Sequence, residues 1–105
     1  MTEPAPPRHL SAEARRLWRA TVRAYALEPR HLVTLSLACE ALDRCREAQA
    51  TVAADGPYTA GRFGLKAHPA LAIERDSRIA FMRAVRELGL DLEPAASRPP
   101  TPWRR

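Results

Sequence analysis

The stretch that decides the fold is residues 55–70, DGPYTAGRFGLKAHPA, because it ends one long helix and begins another. Gly56 can take the left-handed conformation that caps a helix C-terminus. His68, or the residue before it, is expected to cap the next helix, and Pro69 suits its first position. Residues 58–67 carry two glycines between these signals and predict a loop or a short irregular hairpin.

Upstream of this stretch the sequence predicts one long helix. Pro29 suits its first position, and the pattern continues to about Ala54. Its residues at a 3-4 heptad spacing, typical of a helix packed lengthwise on another, are Leu35, Ala38, Leu42, Cys45, Gln49 and Val52. Periodicity does not decide whether that partner helix lies in the same chain or in a second copy.

Downstream, a third helix is expected from Pro69 to Leu88, with Gly89 in the C-cap position. Its apolar side is predicted to carry Leu71, Phe81, Met82, Val85 and Leu88. Carboxylates and arginines stand at helical spacing in the pairs Glu74–Arg78 and Glu40–Arg44, which is typical of a solvated surface.

A shorter helix is predicted before Pro29. Ser11 is a favourable N-cap, and the helix should run to about Ala26. One apolar stripe follows the helical period: Ala14, Leu17, Trp18, Val22 and Tyr25. We expect Trp18 in the core rather than on a stacking surface, because it belongs to this stripe.

Four arginines lie on the other side of the first helix: Arg15, Arg16, Arg19 and Arg23. At about 100° per residue they share one arc of about 100°. Glu13 is the single acid of that helix. Such a set favours binding of DNA phosphates. The alternative is an ordinary solvated helix face.

The loop before the third helix is a second candidate DNA contact. Arg62 and Lys66 alternate there with the aromatic residues Tyr58 and Phe63, and exposed aromatics beside cations can contact nucleic acid. The alternative has Phe63 tucked against the helices and Lys66 solvated.

The composition favours a nucleic-acid partner and argues against an enzyme. Seventeen basic residues, sixteen of them Arg, stand against twelve acidic residues, for a net charge of +5; a GC-rich genome is the alternative source of so much Arg. No catalytic constellation, nucleotide loop or zinc spacing is found, so no cofactor and no metal are expected. Cys39 and Cys45 should be buried and unpaired. Without a signal peptide or membrane span, the expected location is the bacterial host cytoplasm.

Together these elements predict an all-α fold, a small three-helix bundle whose long central helix forms an antiparallel helical hairpin with the third. Residues 1–10 should be an extended arm, 11–92 the helical DNA-binding and oligomerisation domain, and 93–105 a Pro-rich tail. The thin core favours association. The predicted subunit contacts are Leu35, Leu42, Gln49 and Arg78.

Several motifs occur in the order seen in one family: Leu17-Trp18, the long central helix, Gly56, His68-Pro69-Ala70, Leu88-Gly89-Leu90 and Ser97-Arg98. In this order the chain resembles the small subunit of phage terminases. The residues Asp91–Glu93 and the prolines after them depart from the family pattern.

The resemblance implies a non-catalytic helical protein that forms a ring of roughly eight to twelve subunits. It implies binding of double-stranded DNA and its presentation to a large subunit, which supplies the ATPase and nuclease; relatives in gene transfer agents package host DNA. The tail residues Trp103, Arg104 and Arg105 are a candidate docking peptide for a partner. The alternatives are a dimeric helical transcription regulator or nucleoid-type protein, and a structural particle component that does not bind DNA.

Overall fold

The computed structural model describes residues 3–89 and contains three helices and one small sheet in that range. The helices are α1 (Ala12–Ala24), α2 (Pro29–Asp55) and α3 (Pro69–Leu88). Between α2 and α3, strands β1 (Tyr58–Gly61) and β2 (Gly64–Ala67) pair in antiparallel register. The all-α prediction therefore needs correction, because the loop or irregular hairpin expected at 58–67 is a paired β-hairpin.

The caps predicted at Ser11, His68 and Gly89 are present, whereas Gly56 ends α2 with φ 83° and ψ 165°, outside the left-handed helical conformation predicted for it. Ser11 Oγ accepts a hydrogen bond from the Ala14 backbone N–H at 3.1 Å. His68 Nδ1 accepts one from the Ala70 N–H at 3.0 Å, and Gly89 ends α3 in the left-handed conformation, with φ 68° and ψ 30°. These local contacts set the ends of the helices, since they satisfy backbone groups that the helix itself leaves free.

The core lies where α1 crosses the first half of α2. Its fully buried members are Leu10, Ala14, Trp18, Leu35 and Cys39. The Trp18 indole Nε1 donates to the backbone oxygen of Pro4 at 3.0 Å. The prediction of a core tryptophan is confirmed. Residues 4–10, expected as an extended arm, pack against α1 at this point.

The most extensive interface joins α2 and α3, which run antiparallel. Cys45 and Ala48 of α2 are buried there, as are Ala70 and Ser77 of α3. The small side chains on both helices allow close packing. Cys45 belongs to the heptad seam predicted on α2 and Ala48 does not, so the seam is covered at Cys45 by a helix of the same chain.

Three local predictions are wrong. The helix α1 ends at Ala24, not Ala26, because Tyr25 is extended. Met82 is exposed, since it lies about 140° around α3 from the buried Ser77. The Glu40–Arg44 pair does not form: Glu40 bonds His9 at 2.7 Å, and Arg44 pairs with Glu47 at 2.9 Å. The predicted Glu74–Arg78 pair is present.

Candidate nucleic-acid interface

The four arginines of α1, here called the Arg face, lie on the side of the helix away from α2. Arg16, Arg19 and Arg23 are exposed, and Arg15 is half-buried. Arg16 and Arg19 make no hydrogen bond and no ion pair with any of residues 3–89. Their guanidinium groups are therefore available to an external anion.

The N-terminal arm engages the other two arginines of the Arg face. Arg23 Nε donates to both carboxylate oxygens of Glu3, at 3.0 and 3.2 Å. Arg15 Nη1 donates to the Arg8 backbone oxygen at 3.4 Å. The side chains of Arg23 and Glu3 are 65% and 39% exposed, so this ion pair is weak and can exchange with a phosphate.

The single acid of α1, Glu13, lies close enough to Arg16 to feel its charge, and it is bound by α2. Arg46 donates from Nε and Nη2 to the two oxygens of Glu13, at 3.1 and 3.0 Å. The hydrogen bond from Arg46 holds the pKa of the Glu13 carboxyl below its ordinary value. Because Glu13 is already neutralised by α2, it contributes little negative charge to the Arg face.

A buried carboxylate fixes the position of α1, and sequence reasoning missed it. Asp43 of α2 accepts hydrogen bonds from the Ser11 backbone N–H at 2.9 Å and from the Ser11 hydroxyl. Ser11 is also the N-cap of α1, so Asp43 holds the start of the helix that carries the Arg face. The sequence did contain a signal for this contact, because Asp43 is an acid that directly follows Leu42, a residue of the predicted apolar seam.

The second candidate contact, at Arg62 and Lys66, lies on the β-hairpin. Arg62 and Phe63 form its two-residue turn, with the Arg62 guanidinium carbon 5.6 Å from the centre of the Phe63 ring. Phe63 is 96% exposed, so the alternative in which it tucks against the helices is wrong. The ring stays exposed because Phe63 stands in the turn at the end of the hairpin, where none of the three helices covers it.

The structure does not bring the two basic sites together. Glu13 meets α2 at Arg46, nine residues before α2 ends at Asp55, which is about 14 Å along the helix axis. From Arg46 the Arg face runs toward the N-terminal end of α2. Trp18, farther along α1 than Glu13, shows this direction because it lies in the same core cluster as Leu35, near the start of α2. The Arg face and the hairpin are two separate surfaces.

The residues predicted to join subunits have partners within one chain. Leu35 is 1% exposed in the core, and Leu42 packs against the same cluster. Gln49 Nε2 donates to Glu74 Oε2 at 3.3 Å, and Arg78 Nε donates to the same oxygen at 3.1 Å. The hydrogen bond from Arg78, and to a smaller extent the one from Gln49, holds the pKa of the Glu74 carboxyl below its ordinary value. In this arrangement Leu35 presents no surface to a second copy.

The two thiols are structural. Cys39 and Cys45 are both free and buried, as predicted. Burial raises the pKa of the Cys39 thiol to about 11. Within residues 3–89 no cluster of three or more His, Cys, Asp or Glu residues could hold a metal ion, and none of the helices there is long and apolar enough to span a membrane. The docking residues Trp103, Arg104 and Arg105, like Leu90 and the Ser97-Arg98 motif, lie outside the described residues.

Comparison with known proteins gives one match. The family model described as phage terminase, small subunit, matches residues 11–98, which is most of the chain. Neither the curated proteins nor the solved structures contain a match. The matched segment begins at the Ser11 N-cap and includes all three helices and the β-hairpin.

Proposed function

Because the chain belongs to the phage terminase small-subunit family, we propose that it is an adaptor that binds double-stranded DNA and presents it to a large terminase subunit. The family points to a role in DNA packaging. Its members are generally non-catalytic, and the ATPase and nuclease activities belong to the large subunit. The large subunit is therefore the proposed protein partner, and the tail residues Trp103, Arg104 and Arg105 are the proposed docking peptide.

The observation that supports DNA binding is the charge of the Arg face. Arg16 and Arg19 have no ion-pair partner within residues 3–89, and Glu13, the only acid on α1, is bound by Arg46. When arginines without an ion-pair partner bind phosphates, the counterions condensed on the DNA are released, which makes the affinity depend on salt concentration. Arg15 and Arg23 add to the same surface once the arm releases them. Arg62 and Lys66 are proposed as a second, smaller contact.

The proposed assembly is a ring of roughly eight to twelve copies, which would place many Arg faces around one DNA molecule. Since Leu35 is in the core and Gln49 and Arg78 bond within the chain, we assign the subunit contact to other residues, which are exposed on the surface of the chain. Native mass distinguishes this assembly from a dimeric regulator.

The test is charge reversal on the Arg face, measured by fluorescence anisotropy with duplex DNA over a range of salt concentrations. Arg16→Glu with Arg19→Glu should weaken binding at least about tenfold and reduce the salt slope by about two, at about 0.9 per phosphate contact. Each copy contributes two such contacts, so the loss grows with the number of subunits engaged.

The matched control is Arg83→Glu with Arg86→Glu, which makes the same charge change on the exposed side of α3. The control should retain most of the wild-type affinity. Equal losses in both variants would show that only net charge matters, and an unchanged affinity in the first variant would rule out the Arg face as the binding site.

A further inference from the structure

The β-hairpin has an apolar face that no other part of residues 3–89 covers. The register pairs Tyr58 with Ala67 and Ala60 with Leu65, so these four side chains lie on one face of the two strands. Leu65 is 79% exposed, and Phe63 extends the apolar surface at the turn. We call Tyr58, Phe63 and Leu65 the hairpin knob. Three large apolar side chains exposed together are typical of an interaction surface.

A shallow groove that is also apolar lies between α2 and α3. Its apolar floor is formed by Leu37, Ala41, Ile73 and Ala80, and its volume is about 460 Å³. Leu37 is 59% exposed although it stands on the same helix as the buried core. The alanines make the depression, since larger side chains at these positions would fill it.

The knob cannot reach the groove of its own chain. Ala41 lies fourteen residues before the end of α2, which is about 21 Å along the helix axis. Each strand of the hairpin has four residues and spans only about 13 Å. If a hairpin knob fills this groove, it must therefore belong to another copy of the chain.

The charges of the two surfaces are complementary. Residues 56–67 contain Arg62 and Lys66 and no acid. The groove lining carries two carboxylates, Glu40 and Asp76, against one cation, Arg44. All three are engaged in surface ion pairs, Glu40 with His9 at 2.7 Å, Asp76 with Arg75 at 3.3 Å and Arg44 with Glu47 at 2.9 Å, and such pairs are weak enough to exchange. Lys66 pairs with Thr59 and lies on the other face of the strands, so Arg62 in the turn is the cation beside the knob. Its charge is opposite to the net charge of the groove lining, which favours one orientation of the contact.

We infer that the hairpin knob of one copy docks into the α2–α3 groove of a second copy. This inference rests on the proposed oligomer and specifies its contact. Because knob and groove are different surfaces of the same chain, the contact is heterologous, and repeating it builds a closed ring or an open filament rather than a two-fold dimer.

The test uses two variants, one changed at exposed residues of the hairpin and one at the half-buried Ala41, and neither change falls on a residue of the buried core. The first, Phe63→Ala with Leu65→Ala, removes the knob; the second, Ala41→Trp, fills the groove. By native mass spectrometry, each alone should be monomeric where the wild type is oligomeric. An equimolar mixture should form a 1:1 heterodimer and stop there, since it contains one intact knob and one intact groove.

The control is Met82→Ala, an exposed apolar residue outside both surfaces, which should keep the wild-type mass. Circular dichroism checks that the variants are folded; if Ala41→Trp is not, Ile73→Asp replaces it as the groove variant. A wild-type mass in the knob variant, or a mixture that stays monomeric, would overturn the inference.

DNA binding is measured on the same variants, which separates this inference from the proposed function. A monomeric knob variant should retain salt-dependent binding through its Arg face, with a smaller slope than the oligomer. If the knob variant instead keeps the wild-type mass and loses DNA affinity, the hairpin is a nucleic-acid contact and the docking inference is wrong. If the wild type is itself monomeric, the docking inference fails, whereas the Arg-face test still decides DNA binding.

Discussion

At the residue scale, the Asp43 carboxylate has the largest structural consequence. It is buried on α2 and accepts both the backbone N–H and the hydroxyl of Ser11. Ser11 in turn caps α1, so one side chain links helix initiation to helix packing. A buried acceptor of this kind is costly to remove, because its partners are left without a hydrogen bond.

We expect Asp43→Ala to lower the free energy of unfolding by about 2 kcal/mol, since two hydrogen bonds to a charged group are lost and the Ser11 donors lose their partner. Urea denaturation followed by circular dichroism measures it. Glu47→Ala, on the exposed side of the same helix, is the control and should change stability by less than about 0.5 kcal/mol. A similar small change in Asp43→Ala would contradict the anchoring role.

At the element scale, the β-hairpin is the part that differs most from the prediction. Its two-residue turn requires a glycine on each side for different reasons. A Cβ on Gly61 would lie 2.8 Å from the Gly64 backbone oxygen. Gly64 itself has φ 122°, which side-chain-bearing residues rarely adopt. The same two glycines that indicated a loop are what permit this tight turn.

Gly64→Ala should therefore destabilise the hairpin by about 1–2 kcal/mol, because alanine is strained at this φ. Hydrogen exchange of the strand amides at 58–67 is the suitable measurement, as the effect is local. Protection should fall there and stay unchanged in α1. Thr59→Ala, on the same hairpin, serves as the control. Unchanged exchange in Gly64→Ala would show that the paired strands do not persist in solution.

For the whole molecule, the main question is how α1 is held to the α2–α3 hairpin. The contact consists of the small core around Trp18, the Asp43–Ser11 anchor and the Glu13–Arg46 ion pair. The interface between α2 and α3 is far more extensive. Consequently the position of the Arg face depends on this small core and a few polar contacts, and the N-terminal arm contributes through Pro4 and Glu3.

This packing should depend on acidity through Glu13. Its folded-state pKa is lowered from the ordinary 4.5, so the stabilisation is present above pH 4.5 and is lost as pH falls through the lower folded value. We expect wild type to be more stable than Glu13→Gln at pH 7 and equal to it at pH 2. The effect is small because the pair is exposed.

Denaturation curves at several pH values measure this difference. Glu87→Gln removes a carboxylate that makes no ion pair within residues 3–89, and it should not show the same loss with acidity. A difference between wild type and Glu13→Gln that grows at acid pH would contradict the assignment of Arg46 as the cause.

The sequence by itself determined the features set by short-range chemistry. The bounds of α3 are those predicted, because His68-Pro69 and Gly89 act on backbone groups within one turn. The buried stripe of α1 follows from its period of 3.6 residues. The family, too, was recognisable from local motifs, and the match over residues 11–98 confirms it.

Only the tertiary structure decided which surfaces face one another. The heptad seam of α2 is covered by α3 at Cys45, and Gln49 bonds Glu74. These are contacts between residues far apart in sequence, which periodicity cannot assign. The Asp43 anchor, the pairing of Glu13 with Arg46 and the exposed knob are decided in the same way. Helix caps depend on neighbouring residues, whereas the Arg face, the groove and the knob depend on how whole elements pack.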